Sequence, residues 1–163
     1  NVAMHDLVIQ PKAKHLIIGT HGRSLYNADI APLQKMTTEI LSKSAHIFNV
    51  NNIRKSRNWG RSWSQWSNAN VPEIIIPFYV NSNRKINVNI YSGDTKVNSI
   101  SVNADKGFNE AFFDVSFSKK GKKAFEKANK KIKLTEAKNG VFYLPKEKYT
   151  IKVGEEKSEF KVK

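Results

Sequence analysis

INVNIYSGD, Ile86 to Asp94, sets the reading of the chain. Ile86, Val88 and Ile90 alternate with Asn87, Asn89 and Tyr91, so an extended strand here has one apolar face and one more polar face. Ser92-Gly93-Asp94 supplies a turn, and Ile100 and Val102 resume the same period beyond it. On the N-terminal side, Ile74, Ile76, Phe78 and Val80 form a strand run. On the C-terminal side, Ala111, Phe113, Val115 and Phe117 face one way, and Phe112, Asp114 and Ser116 the other. Val141 to Leu144, Tyr149 to Val153 and Glu159 to Val162 complete the series. Six or seven short alternating strands with turns between them predict a mainly β chain built as an antiparallel sandwich over roughly Val71 to Lys163. Its expected core is Ile76, Phe78, Ile86, Val88, Ile90, Ile100, Val102, Phe113, Val115, Phe117, Tyr149, Ile151, Val153, Phe160 and Val162.

At 163 residues the chain is one ordinary domain, or a domain with an attached fragment. Apolar residues make up 39% and aromatics 10%, a globular composition. No apolar stretch approaches the roughly 18 residues of a membrane-spanning helix. There is no cysteine, which excludes disulfides, thiol chemistry and cysteine-ligated metal. The chain begins Asn-Val, with neither an initiator methionine nor a signal peptide, as expected of a processed product or a piece of something longer.

The net charge of +14 points toward anionic partners, and its placement is uneven. Between Ser118 and Lys133 stand eight lysines and one glutamate, Glu126, which is half of the excess. Ala124, Phe125 and Ala128 suggest a short helix there with a thin apolar stripe. Lys119, Lys120, Lys122 and Lys123 are the candidates for binding a polyanion, against the plainer reading of a solvated surface insertion. The run has no interleaved arginines or repeated aromatics of the kind that stacks on bases, which argues against nucleic acid. A second cluster lies in the polar stretch 49–70. Trp59, Trp63 and Trp66 are spaced by four and three, but flanking Asn, Ser, Gly and Arg predict an irregular loop. Exposed, the three rings could form a sugar-stacking platform; the plainer reading folds them back over the core.

The first 48 residues read as short strands over His5–Gln10, His15–Gly19 and Arg23–Asn27, two short helices, and a brief strand over Ala45–Phe48. Asp29 can cap the first helix, and Thr37 or Thr38 begins the second. GTHGR, Gly19 to Arg23, could present backbone N–H groups and Arg23 to an anion, although its glycines also suit a bend between strands. His5, Asp6 and His21 could be imagined around a metal, at a spacing that matches no usual ligand pattern, so no metal and no cofactor is expected. No Walker-type loop, HExxH, nucleophile elbow or EF-hand loop is present. The acids are scattered, and Asp114, inside an aromatic strand, reads as structural.

Taken together, HDLVIQP and HLIIGTHGRSLYNADIAPLQ, His5 to Pro11 and His15 to Gln34, resemble the end of the last blade of Asp-box (BNR-repeat) β-propellers of the sortilin-type, glycosyl-hydrolase-like proteins. The shared positions include His5, Asp6, Leu7, Gly19, Thr20, His21, Gly22, Arg23, Asp29, Ile30, Pro32 and Leu33. Val88 to Tyr91, Gly107 to Asn109, Phe113-Asp114-Val115, Leu144-Pro145 and Tyr149 to Val153 are similar to the C-terminal immunoglobulin- or fibronectin-type domain of the same family. Phe113 replaces a tryptophan there and Lys146 a turn glycine. The Asp-box itself, S-x-D-x-G-x-T-W, does not occur. The resemblance implies residues 1–48 as blade end and connecting helices, 49–70 as a tryptophan-containing loop, and 71–163 as an immunoglobulin-like sandwich with a lysine-rich insert at 118–140. It implies an exported, non-catalytic accessory domain whose partner is an upstream propeller of the same protein, with glycan as a candidate ligand. GTHGR becomes a strand-end turn shaped by Gly19 and Gly22, with Arg23 bonding to a neighbouring domain. Blade strands without their propeller would have free edges, through which the chain could pair with a second copy.

Overall fold

Strand follows strand with little helix between them in the computed structural model, which describes residues 3–22 and 24–163. The chain divides into two units, Asn1–Glu39 and Ile40–Lys163. The first contains β1 (Met4–Gln10), β2 (His15–Thr20), β3 (Leu25–Asp29) and the single turn α1 (Ala31–Gln34). Its strands form an antiparallel meander in the order β1-β2-β3. Asp29 ends β3 and Ile30, not Asp29, takes the N-cap of α1; the Asp29 Oδ1 still accepts from Ala31 N at 2.8 Å, a local turn bond rather than the expected cap. β1 and β3 are exposed along their whole length, with Leu7, Val8, Ile9, Leu25 and Tyr26 all open to solvent.

After α2 (Thr38–Ser42), the second unit runs β4 (Ala45–Ile47), β5 (Ile74–Val80), β6 (Arg84–Ser92), β7 (Thr95–Ala104), β8 (Gly107–Phe113), α3 (Lys119–Ala128), β9 (Lys148–Val153) and β10 (Glu156–Lys161). Two antiparallel sheets, β4-β5-β8 and β10-β9-β6-β7, enclose one core. The period of two in β6 sends Val88 and Ile90 inward, where Ile90 lies opposite Ile151 and Val88 opposite Val153. Gly93, with φ +53°, makes the turn from β6 to β7. Phe160 stacks on Tyr149 at 5.4 Å between ring centres and meets Phe113 edge-on at 6.4 Å.

Eleven of the fifteen expected core residues are buried, and Ile86, Ile100, Val102 and Phe117 pack against them partly covered. Three expectations are corrected. The sandwich unit begins at Ile40 rather than Val71: Ile47 of β4 lies opposite Phe78, and Lys43 and His46 both reach Glu156 on β10 at 3.0 Å. Val141 to Leu144 is not a ladder strand. It meets the segment after β8 in one isolated bridge, Ser116 to Tyr143, with Phe117 N donating to Phe142 O at 2.9 Å and Leu144 N to Val115 O at 2.8 Å. The alternation through Phe117 breaks at Val115, whose φ of 57° ends the strand pattern while its side chain stays in the core.

The helix in the lysine-rich segment forms for reasons that composition hides. Ser118 caps it, its Oγ accepting from Gly121 N at 3.0 Å. A Cβ at Gly121 would stand 1.8 Å from the Val97 carbonyl oxygen. The glycine therefore lets the helix lie against the backbone of β7, an edge strand that this contact covers. Phe125, the centre of the thin apolar stripe, is fully buried against Phe117.

Candidate functional site

In the first unit, GTHGR divides between a strand and a turn. Gly19 lies inside β2, and a Cβ there would make only ordinary contacts with Asp6. Gly22, with φ +89°, shapes the bend that Thr20 closes onto the Ser24 carbonyl, through its amide at 3.3 Å and its hydroxyl at 2.8 Å. The expectation that both glycines serve the turn is thus corrected to Gly22 alone. Arg23 lies outside the described residues. His21 and His5 meet with ring centres 4.8 Å apart, and the Asp6 carboxylate accepts from the Leu7 amide. Among the described residues no group of three or more His, Asp or Glu side chains is placed to hold a metal ion.

In the second unit, α3 distributes its lysines unequally. Lys119, Lys120 and Lys123 are exposed and make no ion pair among the described residues. Lys122 is committed: its Nζ lies 3.6 Å from the centre of the Phe142 ring and 3.6 Å from Glu126 Oε1. A groove of about 560 Å³ brings Lys119, Lys122 and Lys123 together with Asp114, Glu126 and Phe142. Asp114 lies just past the end of β8 rather than inside a strand, and its Oδ1 accepts from the Ser116 amide at 3.2 Å and hydroxyl at 2.7 Å.

The tryptophan loop separates into a root and a tip. Trp59 is buried and packs edge-on against Tyr143 at 5.7 Å, so it takes the core position. Trp63 and Trp66 are 99% and 88% exposed. The three rings therefore do not form one platform, because Gly60 turns the chain between the first and the other two. With φ +74° it lies so close to Ala137 and Asn139 that a Cβ would stand 2.6 Å and 2.5 Å from their side chains.

That close approach brings two basic stretches together around one cleft of about 360 Å³. Lys55, Arg57 and Arg61 line it from the loop side, and Lys133 and Lys138 from the segment after α3. Glu136 is its one acid, and Trp59 and Tyr143 contribute to its wall. Lys55 Nζ donates to the Leu144 carbonyl at 2.7 Å and faces the Trp59 ring at 5.7 Å. Partial burial, with the Lys146 charge adding to it, holds the Lys55 ammonium below the usual lysine range. Such a cleft attracts anionic or hydrogen-bond-accepting groups. Its cations were absent from the sequence candidates. The signal that could have found them is the complete lack of Asp and Glu between Asn49 and Pro72, alongside Arg54, Lys55, Arg57 and Arg61. Nothing in the sequence signals that residues 132–138 return to this place.

No protein-family model and no curated protein matches this chain.

Proposed function

We propose that this chain is a non-catalytic accessory part of an exported, glycosyl-hydrolase-like Asp-box propeller protein, with an immunoglobulin-like second unit. The observation that carries the reading is the bare β1-β2-β3 meander. Propeller blades are four-stranded sheets that lean on their neighbours, and a three-stranded sheet exposed along both outer strands supports an incomplete blade. The HDLVIQP and GTHGR resemblances fall on these same strands. Two features support the immunoglobulin-like type. Seven strands form two antiparallel sheets on one core, and Tyr149, at the start of β9, donates its hydroxyl to the Pro145 carbonyl at 2.9 Å. That backward bond resembles the tyrosine corner of such sandwiches, which supports the reading.

The test lies in the gene. Reading the codons upstream of Asn1 should reveal several S-x-D-x-G-x-T-W repeats. An unrelated domain directly before Asn1 would overturn the reading, as would glycoside hydrolysis by this purified chain.

A second reading, polyanion binding by α3, is favoured by the exposure of Lys119, Lys120 and Lys123 without acidic partners among the described residues. It requires affinity that falls steeply with salt. Unchanged heparin affinity after replacing all three with glutamine would exclude it.

A further inference from the structure

A tryptophan left in water forgoes the burial of a large apolar surface, and Trp63 and Trp66 are both left there, at the tip of one loop. The tip is ordered by its own hydrogen bonds. Gly60 N donates to Asn70 O and Asn70 N to Arg61 O, both at 2.8 Å, and Ser62 bridges Ala69. At the apex, Ser64 N donates to Ser67 Oγ at 2.8 Å, Ser67 N to Ser64 O at 3.2 Å, and Trp66 N to Ser64 Oγ at 3.3 Å. A turn whose amides find partners within itself loses less on leaving bulk water. The root is fixed by the burial of Trp59 and the close seat of Gly60 on residues 137–139. Arg57, Arg61 and Lys55 line the cleft at the root of the same loop, with Lys133 and Lys138 also lining it.

Exposed rings on a loop whose root is lined by cations suit a lipid–water interface. The indole carries an apolar body and one N–H donor, and settles at the headgroup level. Basic side chains just behind it meet the phosphates of an anionic leaflet. We propose that Trp63 and Trp66, with the basic cleft at their root, dock this protein onto anionic phospholipid surfaces. The occupant follows from charge complementarity: five cations face the cleft against one carboxylate, Glu136. A neutral sugar has no use for that excess. No helix among the described residues is long and apolar enough to cross a membrane, and the proposed contact is one of the loop tip with the headgroup region. The inference goes beyond the accessory-domain reading and stands or falls separately from it.

The experiment mixes the full chain with unilamellar vesicles of phosphatidylcholine alone, or of phosphatidylcholine and phosphatidylglycerol in a three-to-one ratio. Co-sedimentation and tryptophan emission are followed. Binding to the anionic vesicles is expected, with a blue shift, little binding to phosphatidylcholine alone, and loss at high salt. Trp63→Ala with Trp66→Ala should weaken partitioning at least about tenfold and abolish the blue shift. Because both rings are exposed, the melting temperature should hold. Arg57→Gln with Arg61→Gln should weaken binding to the anionic vesicles while leaving the tip intact. No vesicle binding would overturn the proposal. So would vesicle binding indifferent to the tryptophans, which would leave the lysines of α3 as the anchor. Tryptophan-dependent capture by heparin without vesicle binding would also overturn it, and would assign the surface to anionic glycans.

Discussion

Ile9 and Ile151 are the same residue in the same kind of antiparallel strand, yet Ile9 is 52% exposed and Ile151 is sealed. Both have ladder partners, Ile9 on one side only because β1 is an edge strand: Ile9 lies opposite Leu16, and Ile151 opposite Ile90 on one side and Ser158 on the other. Pairing within a sheet satisfies the backbone but covers little of a side chain. A second layer does that, contributing roughly 1.5–3 kcal/mol per aliphatic or aromatic residue. The sandwich supplies two such layers. The meander of the first unit has Leu7, Val8 and Ile9 exposed in succession, as a surface built to be covered by something else would have.

Substitutions can break this comparison. The largest effect belongs to Phe160, fully buried between Tyr149 and Phe113. Phe160→Ala should cost about 3–5 kcal/mol in urea unfolding. Ile9→Ala should stay within about 0.5 kcal/mol. Equal losses at the two sites would erase the distinction between the units.

Gly121→Ala sharpens the account of how the sandwich edge is covered. The added methyl meets the Val97 carbonyl, so α3 must lift from β7. We expect about 3 kcal/mol, the upper end of ordinary overpacking, although alanine is the better helix former. A stabilised variant would mean that the helix does not lie on the strand.

Tyr149→Phe removes one hydroxyl and leaves the Pro145 carbonyl without its donor. Burial, reinforced by the neighbouring Glu147 charge and a side-chain hydrogen bond with Glu147, pushes the Tyr149 phenol well above its ordinary pKa. The expected cost is about 1–2 kcal/mol by thermal or urea melts. A neutral result would remove the tyrosine corner as a support for the immunoglobulin-like type.

The smallest effect is electrostatic. A hydrogen bond from Lys43 holds the Glu156 carboxyl below its ordinary range; burial opposes this, and the Lys43 and His46 charges assist it. A carboxylate with a lowered folded-state pKa stabilises the fold above its unfolded pKa, and that contribution disappears as pH falls through the folded value. Stability should therefore decline as pH drops below about 4.5, and Glu156→Gln should flatten that part of the profile. An identical profile in the variant would show that this link between β4 and β10 contributes nothing measurable.

Much of the sandwich was legible because alternation in β6, β9 and β10 and the turn at Gly93 are local properties. What escaped was decided at a distance. β4 is three residues long, and only its register against Phe78 makes it a sandwich strand. Val115 carries a strand residue's side chain on a turn residue's backbone, which period counting cannot anticipate. Gly121 counts against a helix by propensity, yet the helix needs it for close approach. The candidate site was half legible. The sequence marked three tryptophans and a lysine run as separate features. It could not show that Gly60 seats the loop on residues 137–139, burying Trp59 and joining the two basic stretches around one cleft.

The central claim is that the second unit is complete in itself and the first is not. Native-state hydrogen exchange read by mass spectrometry tests it in one experiment. Amides of β6 and β9 should approach the protection set by global unfolding. Those of β1 and β2 should exchange at least about a hundredfold faster, the behaviour of a sheet without a second layer. Protection in β1 and β2 equal to that of β9 would contradict the claim, and with it the reading of the meander as an incomplete blade.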